Sequence, residues 1–210
     1  MPLREPPARS RLWRLATVRL SGRRLWRCHR ASREVWWFGS TPPGHGRFDL
    51  PAPDGSAYLA ATLDAAVLES MQAHFGRGAV LPSSALRARQ LSSVRVPAGS
   101  PPAVDLTAPA LVALGATAAL WAGPDRARTQ RWATELHGAG HQAIHHGIQH
   151  DPAGALRAFT LFDRAGAHAP WGLPWPAPTT ERADCDAVVA VLTGHGVTVT
   201  RTRPTLRVTN

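Results

Sequence analysis

The spacing of apolar positions changes repeatedly along the chain, and each change bounds a short element. Residues 24–30 alternate around Leu25, Arg27 and His29, and the aromatic run Val35–Phe38 follows, which predicts two strands. Ser40 to Gly46 reads as a turn-rich loop, because two Pro and two Gly crowd it. Ala57–Ala60 predicts a buried strand after the Pro- and Gly-rich Pro51–Gly55. Thr62 is placed to cap a helix from Leu63 to about Phe75, closed by Gly76. Leu63, Val67 and Met71 recur at four-residue steps and give that helix an apolar stripe.

Further along, Leu91–Val96 predicts a strand and Pro109–Leu114 a short helix. Arg126–His137 predicts a longer helix carrying Trp132 and Leu136 on one side, with Gly138 and Gly140 ending it. Ala155–Phe162 predicts a strand, and Pro170–Pro178, with four Pro and two Trp, a rigid crossover. A helix over Asp184–Leu192, stopped by Gly194, and a last strand over Val197–Arg201 complete the pattern. There is no internal repeat. Short interleaved strands and helices predict an α+β fold, a mixed β-sheet core with short flanking helices.

A chain of 210 residues with 44% hydrophobic positions is long enough for one well-cored domain, burying roughly 70% of its unfolded surface. Charge divides it. All 24 basic residues are Arg, a coding bias that says little by itself, but ten of them fall in residues 1–33 against Glu5 alone. The remaining 177 residues hold fourteen Arg against thirteen acids and are nearly neutral. Residues 1–20 therefore read as a basic tail, poorly ordered at its start, and residues 21–210 as a single domain.

The longest mostly apolar stretch, Ala110–Gly123, has 14 residues, short of the roughly 17–25 that span a membrane. The Arg-rich start never reaches an apolar core, and neither does Arg23-Arg24, so no export signal is expected, although an organelle transit peptide stays open. Cys28 and Cys185 make no disulfide framework and have no metal-ligand spacing, which points to a reducing cytoplasm.

Five His fall within His137–His150, at 137, 141, 145, 146 and 150. Gly138, Gly140 and Gly147 break any helix that could align them, and no metal site is expected. Eight Trp could stack nucleic-acid bases, but most occupy core-like positions, and Trp171 and Trp175 read as braces of the crossover. Gly44-His-Gly46 lacks the strand and helix of a dinucleotide-binding turn, and there is no Walker A loop.

The segments Leu25–Arg30, Trp36–Phe38, Gly46-Arg-Phe-Asp-Leu-Pro51, Gly55-Ser-Ala-Tyr-Leu-Ala60 and Ala65-Ala-Val-Leu-Glu69 occur in an order that resembles the RES-domain family. Asp105-Leu-Thr107, Thr129–Ala133 with Leu136-His137, His150-Asp-Pro152 and Leu161-Phe162 extend the resemblance over about residues 22–165. It implies a fold similar to the ADP-ribosyltransferase core. It also implies a toxin of a bacterial toxin–antitoxin pair that cleaves NAD by hydrolysis or phosphorolysis, or transfers ADP-ribose. NAD would be the substrate, with inorganic phosphate a possible second one, a cognate antitoxin the partner, and no cofactor.

Cleaving the nicotinamide–ribose bond passes through an oxocarbenium-like state. A site needs guanidinium forks for the pyrophosphate, a flat face for nicotinamide, and a carboxylate beside the developing cation. The family pattern supplies these at Arg27, Arg47, Tyr58 and Glu69, with Glu69 and Arg47 as catalytic and Arg27, Arg47 and Tyr58 as NAD-binding residues.

Each residue also has a plainer reading. Arg27 could be a surface or salt-bridged cation, and Arg47 could pair with Asp49 or Asp54. Tyr58, the only Tyr, could be a core aromatic with a satisfied hydroxyl. Glu69 lies two residues past Val67, about 200° around the helix, so periodicity places it toward solvent and only the resemblance turns it toward a pocket. Many family members carry a Ser-Arg pair before His-Asp-Pro where this chain has Ile148-Gln149, which predicts altered efficiency or nucleophile choice.

The alternatives are a nucleic-acid-binding protein using its N-terminal arm, and a degenerate homologue that only binds a partner. The first predicts that removing residues 1–20 abolishes binding, whereas NAD cleavage would survive that deletion.

Overall fold

The computed structural model describes residues 2–40, 46–75 and 79–200. Most of the expected Ser40–Gly46 loop, the helix-closing Gly76 and the strand-ending Arg201 lie outside the described residues. The strands are β1 (Thr17–Val18), β2 (Arg24–Arg30), β3 (Trp37–Phe38), β4 (Asp54–Ala60), β5 (Val80–Pro82) and β6 (Arg89–Arg95). They continue with β7 (Ala103–Asp105), β8 (Ala143–Gly147), β9 (Arg157–Arg164), β10 (Gly166–Ala167), β11 (Thr179–Arg182) and β12 (Thr198–Thr200). The helices are α1 (Leu63–Met71), α2 (Ser83–Arg87), α3 (Ala119–Ala122), α4 (Arg126–Gly138) and α5 (Asp186–Gly194). The fold is α+β, and its main sheet is mixed.

Eight strands run in the order β1-β7-β8-β9-β4-β2-β6-β11. All pairings in it are antiparallel except β7 with β8. β9 lies in the middle and buries five consecutive residues, Ala158–Phe162, because both of its faces are covered. Phe159 and Leu161 face one apolar cluster with Trp36 and Phe38, while Phe162 faces the other with Trp132 and Leu136 of α4.

The ladders are unequal. β2 pairs with β6 along its whole length and β4 with β9 likewise. β2 and β4 meet only at Trp26 and Ala60. Beyond that contact the sheet splits, and the gap between its halves becomes the cavity described below.

Thr62 caps α1 as expected, its hydroxyl accepting from the Ala65 N–H at 3.2 Å, and Asp125 caps α4 through Arg128 N–H at 2.9 Å. After Met71, α1 tightens into a 3₁₀ turn over Gln72–His74, and the Pro109–Leu114 helix is 3₁₀ throughout. α5 packs on α1 and starts two residues later than the pattern predicts. The Pro-rich crossover is braced by indoles as expected, with Trp175 4.6 Å from Trp36 and 5.9 Å from Trp171 between ring centroids.

The N-terminal segment differs from expectation. Instead of a poorly ordered tail, residues 2–20 lie packed on the body with Leu3, Leu12 and Leu20 buried. Thr17 and Val18 add an edge strand to β7. The Trp132 indole N–H donates to the Arg4 carbonyl at 2.9 Å, and Glu5 receives both Arg128 and Arg131. Three Leu spaced eight and nine positions apart show no helical or strand period, so composition alone hid their burial.

Candidate active site

A cavity of about 310 Å³ fills the gap between β2 and β4, roofed by α1 and closed by the chain after β8. Arg27, Arg47, Tyr58 and Glu69 all line it. Residues forty-odd positions apart are thus brought together by the split in the sheet.

Arg27 projects from β2 into this gap, and its guanidinium donates to the carbonyls of Val35 and, at 3.0 Å, Trp37. Burial, with Arg33 nearby, pulls its pKa down to about 10, so it stays a cation at neutral pH. It is half-buried rather than at the surface, and among the described residues no carboxylate pairs with it.

Arg47 sits in a tightly held turn. The Gly46 N–H donates to Asp49 at 2.6 Å, and a side chain at Gly46 would collide with Asp49 and the Tyr58 hydroxyl. From α4, Thr129 donates to the Arg47 carbonyl at 2.6 Å and Gln130 to the Gly46 carbonyl at 2.8 Å. So fixed, the guanidinium donates to the Gly123 carbonyl and, at 2.9 Å, to the Gln149 side-chain oxygen.

Tyr58 combines a satisfied hydroxyl with a place in the cavity lining. Its hydroxyl donates to Asp49 at 2.7 Å and accepts from the Phe48 N–H at 2.8 Å, and its half-buried ring lines the cavity. Burial and Asp49 push the phenol well above its ordinary pKa, so it remains protonated.

Glu69 corrects the periodicity argument. α1 is buried on nearly all sides, with Ala65, Ala66, Val67, Leu68 and Met71 all inaccessible. The polar strip of Glu69 and Ser70, beside Ala66, faces the cavity rather than solvent. Glu69 Oε1 accepts from the Gln149 backbone N–H at 3.1 Å. Burial raises the carboxyl pKa, and that N–H together with Arg47 and Arg126 pulls it part of the way back.

Several lining residues were not foreseen. His146 is fully enclosed, with Nδ1 donating to the Gly147 carbonyl at 2.7 Å and Nε2 accepting from Thr160 at 3.0 Å. Burial holds its pKa down to about 4, so it is neutral. Trp26, Trp121, Arg30, Arg33, Arg89 and Arg126 also border the cavity. Gly147 makes room for Trp121, since a Cβ there would strike the indole. Nothing in the local sequence signals Arg30, Arg89, Trp121 or Arg126, and period-two alternation sets Arg30 on the strand face opposite Arg27.

The five clustered His go to separate partners. His145 contacts Asp105 at 2.9 Å, His141 the Leu12 carbonyl at 2.7 Å, and His137 Asp54 at 3.5 Å. Among the described residues no group of three or more His, Cys, Asp or Glu is placed to hold a metal. No helix of the described residues is long and apolar enough to cross a membrane.

The RES-domain family model matches residues 24–180, three quarters of the chain. This chain belongs to the RES-domain family. The RES fold is shared with a chain in the crystal structure of the M. tuberculosis MbcT–MbcA toxin–antitoxin complex, at a TM-score of 0.57 and 19% identity. That match covers 85% of this chain and 90% of the other. No curated protein sequence matches.

The RES match also frames the departure at Ile148-Gln149. Ile148 is buried with Ala65, Ala66 and Leu68 and does not reach the cavity. Gln149 does reach it, and holds Arg47 through its side chain and Glu69 through its backbone.

Proposed function

We propose that this RES-domain protein cleaves NAD at the nicotinamide–ribose bond, with water or inorganic phosphate as acceptor, as the toxin of a toxin–antitoxin pair. One observation carries the reading: among the described residues lining the cavity, Glu69 is the single carboxylate amid guanidiniums. That balance suits a ligand with an anionic pyrophosphate and a cationic reacting centre.

Arg47 and Arg126 bind the pyrophosphate oxygens, with Arg27 adding positive potential. The faces of Tyr58 and the nearby indoles hold the nicotinamide ring. A volume at the lower end of ligand pockets, about 300–1,000 Å³, encloses the nicotinamide ribose and leaves the adenosine end at the mouth. As the C1′–N bond breaks, its electron pair passes to the pyridinium nitrogen, which becomes neutral. The ribosyl cation that forms is stabilised by ionised Glu69. Water or a phosphate oxygen then bonds to C1′, and for water the released proton passes to Glu69 or solvent.

The toxin–antitoxin complex of the similar M. tuberculosis structure supports an antitoxin partner for this chain. Incubating the purified protein with NAD, with and without inorganic phosphate, tests the activity. Nicotinamide should accumulate. Intact NAD in both conditions would refute cleavage, and calorimetric binding of NAD without turnover would favour the degenerate, partner-binding alternative.

A further inference from the structure

We propose that Arg30, Arg33 and Arg89 form a second anion subsite at the cavity mouth, built for a phosphomonoester such as the 2′-phosphate that distinguishes NADP from NAD. This rests on the dinucleotide reading above and extends it to which dinucleotide is taken.

Arg30 and Arg89 stand directly opposite each other in the β2–β6 ladder. Like charges so placed repel, and Arg30 together with burial lowers the Arg89 pKa. Arg33 lies three residues past Arg30, its guanidinium 5.0 Å from the Trp37 ring centre. Among the described residues no ion pair reaches any of the three.

The contrast within the same ladder is informative. Arg24 and Arg95 repeat the like-charge register, but Arg95 turns to the Gly22 carbonyl and neither lines the cavity. Arg30, Arg33 and Arg89 all line it, with Arg30 and Arg33 exposed at its edge. Three guanidinium forks around one opening, without an ion pair among the described residues, match a dianion with three acceptor oxygens. In the reading above Arg47 and Arg126 meet the pyrophosphate, so the charge at the mouth is surplus to NAD.

Calorimetry with the full chain tests this without turnover. Adenosine 2′,5′-bisphosphate should bind at least about tenfold tighter than adenosine 5′-monophosphate, and Arg33→Gln with Arg89→Gln should erase the difference. Equal affinities in the unmodified protein, or a preference the double substitution leaves intact, would overturn the subsite. Should the double variant fail to fold, Arg33→Glu at its exposed position must weaken the preference by itself. Titrating inorganic phosphate separates the sources: a phosphate heat that the substitutions abolish, with no 2′-phosphate preference, assigns the cluster to free phosphate and sinks the nucleotide assignment. A chain that prefers the bisphosphate yet releases no nicotinamide refutes cleavage and leaves the subsite standing.

Discussion

Two populations of arginine in this molecule behave in opposite ways. Around the N-terminal segment, Arg128 and Arg131 converge on Glu5 and Arg9 meets Glu135, each pair partly or largely in solvent. Around the cavity, Arg27 and Arg47 are half-buried or deeper and donate to backbone carbonyls and an amide, with one carboxylate nearby. The first arrangement is electrically closed, and exposed pairs of that kind contribute little. The second keeps its net charge and fixes its side chains through neutral acceptors, leaving the field available to a ligand. Equal residue types therefore mark a strap in one place and a cavity lining in the other.

The two regions are mechanically joined. The strap holds α4 through Trp132 and Arg4, and α4 holds the Arg47 turn through Thr129 and Gln130. Deleting residues 2–20 should break this most severely. It exposes the sites of Leu3, Leu12 and Leu20, at about 1.5–3 kcal/mol per buried side chain, a loss comparable with whole-domain stability. Thermal melts should show an unfolded or aggregated chain, so NAD cleavage is not expected to survive this truncation as the tail reading required. A truncated protein that melts like the full one would separate strap from site.

Glu69→Gln should lower nicotinamide release by about 10²–10⁴ while leaving the melting temperature nearly unchanged. Because burial raises its pKa, the ionised form is lost on acidification earlier than for an ordinary carboxylate. The acid limb of the rate profile should accordingly lie above the usual carboxylate range. Unaltered turnover in this variant would remove Glu69 from the mechanism.

His146 sharpens the comparison through pH. The unfolded chain takes up this proton near 6.5, the folded one only near 4. The unfolded state thus binds more protons across that window. Stability is full above the window and falls through it by about 3 kcal/mol as the solution is acidified. Melts of His146→Gln across the same range should lose a corresponding part of that slope.

Arg27→Ala removes the donors from two carbonyls and should cost about 2–3 kcal/mol in denaturant titrations, with NAD affinity reduced as well. Glu5→Ala lies at the other extreme. It removes one partner from each of Arg128 and Arg131 and should change stability very little, with turnover preserved. Equal effects from these two substitutions would erase the distinction between the arginine populations.

Much of the frame was legible in the chain. β2, the start and cap of α1, and α4 follow their residue patterns because alternation, capping and four-residue steps are local signals. β7, β8, α3 and β11 were not anticipated. β8 reads as His and Gly, and its strand state comes from pairing with β7 and β9. The four site residues were named through an ordered resemblance, and their convergence on one cavity is a fact of the fold.

The chain by itself determined the fold class and the Thr62 cap, since those depend on residue pattern and near-neighbour spacing. Tertiary structure decided which way Glu69 points, that Gln149 holds both the acid and Arg47, and that the N-terminal Leu residues are buried. The physical reason is the same in each case. A side chain's direction and partners depend on what packs against its element from elsewhere in the chain, and at α1 the sheet and α5 cover the faces that periodicity leaves open.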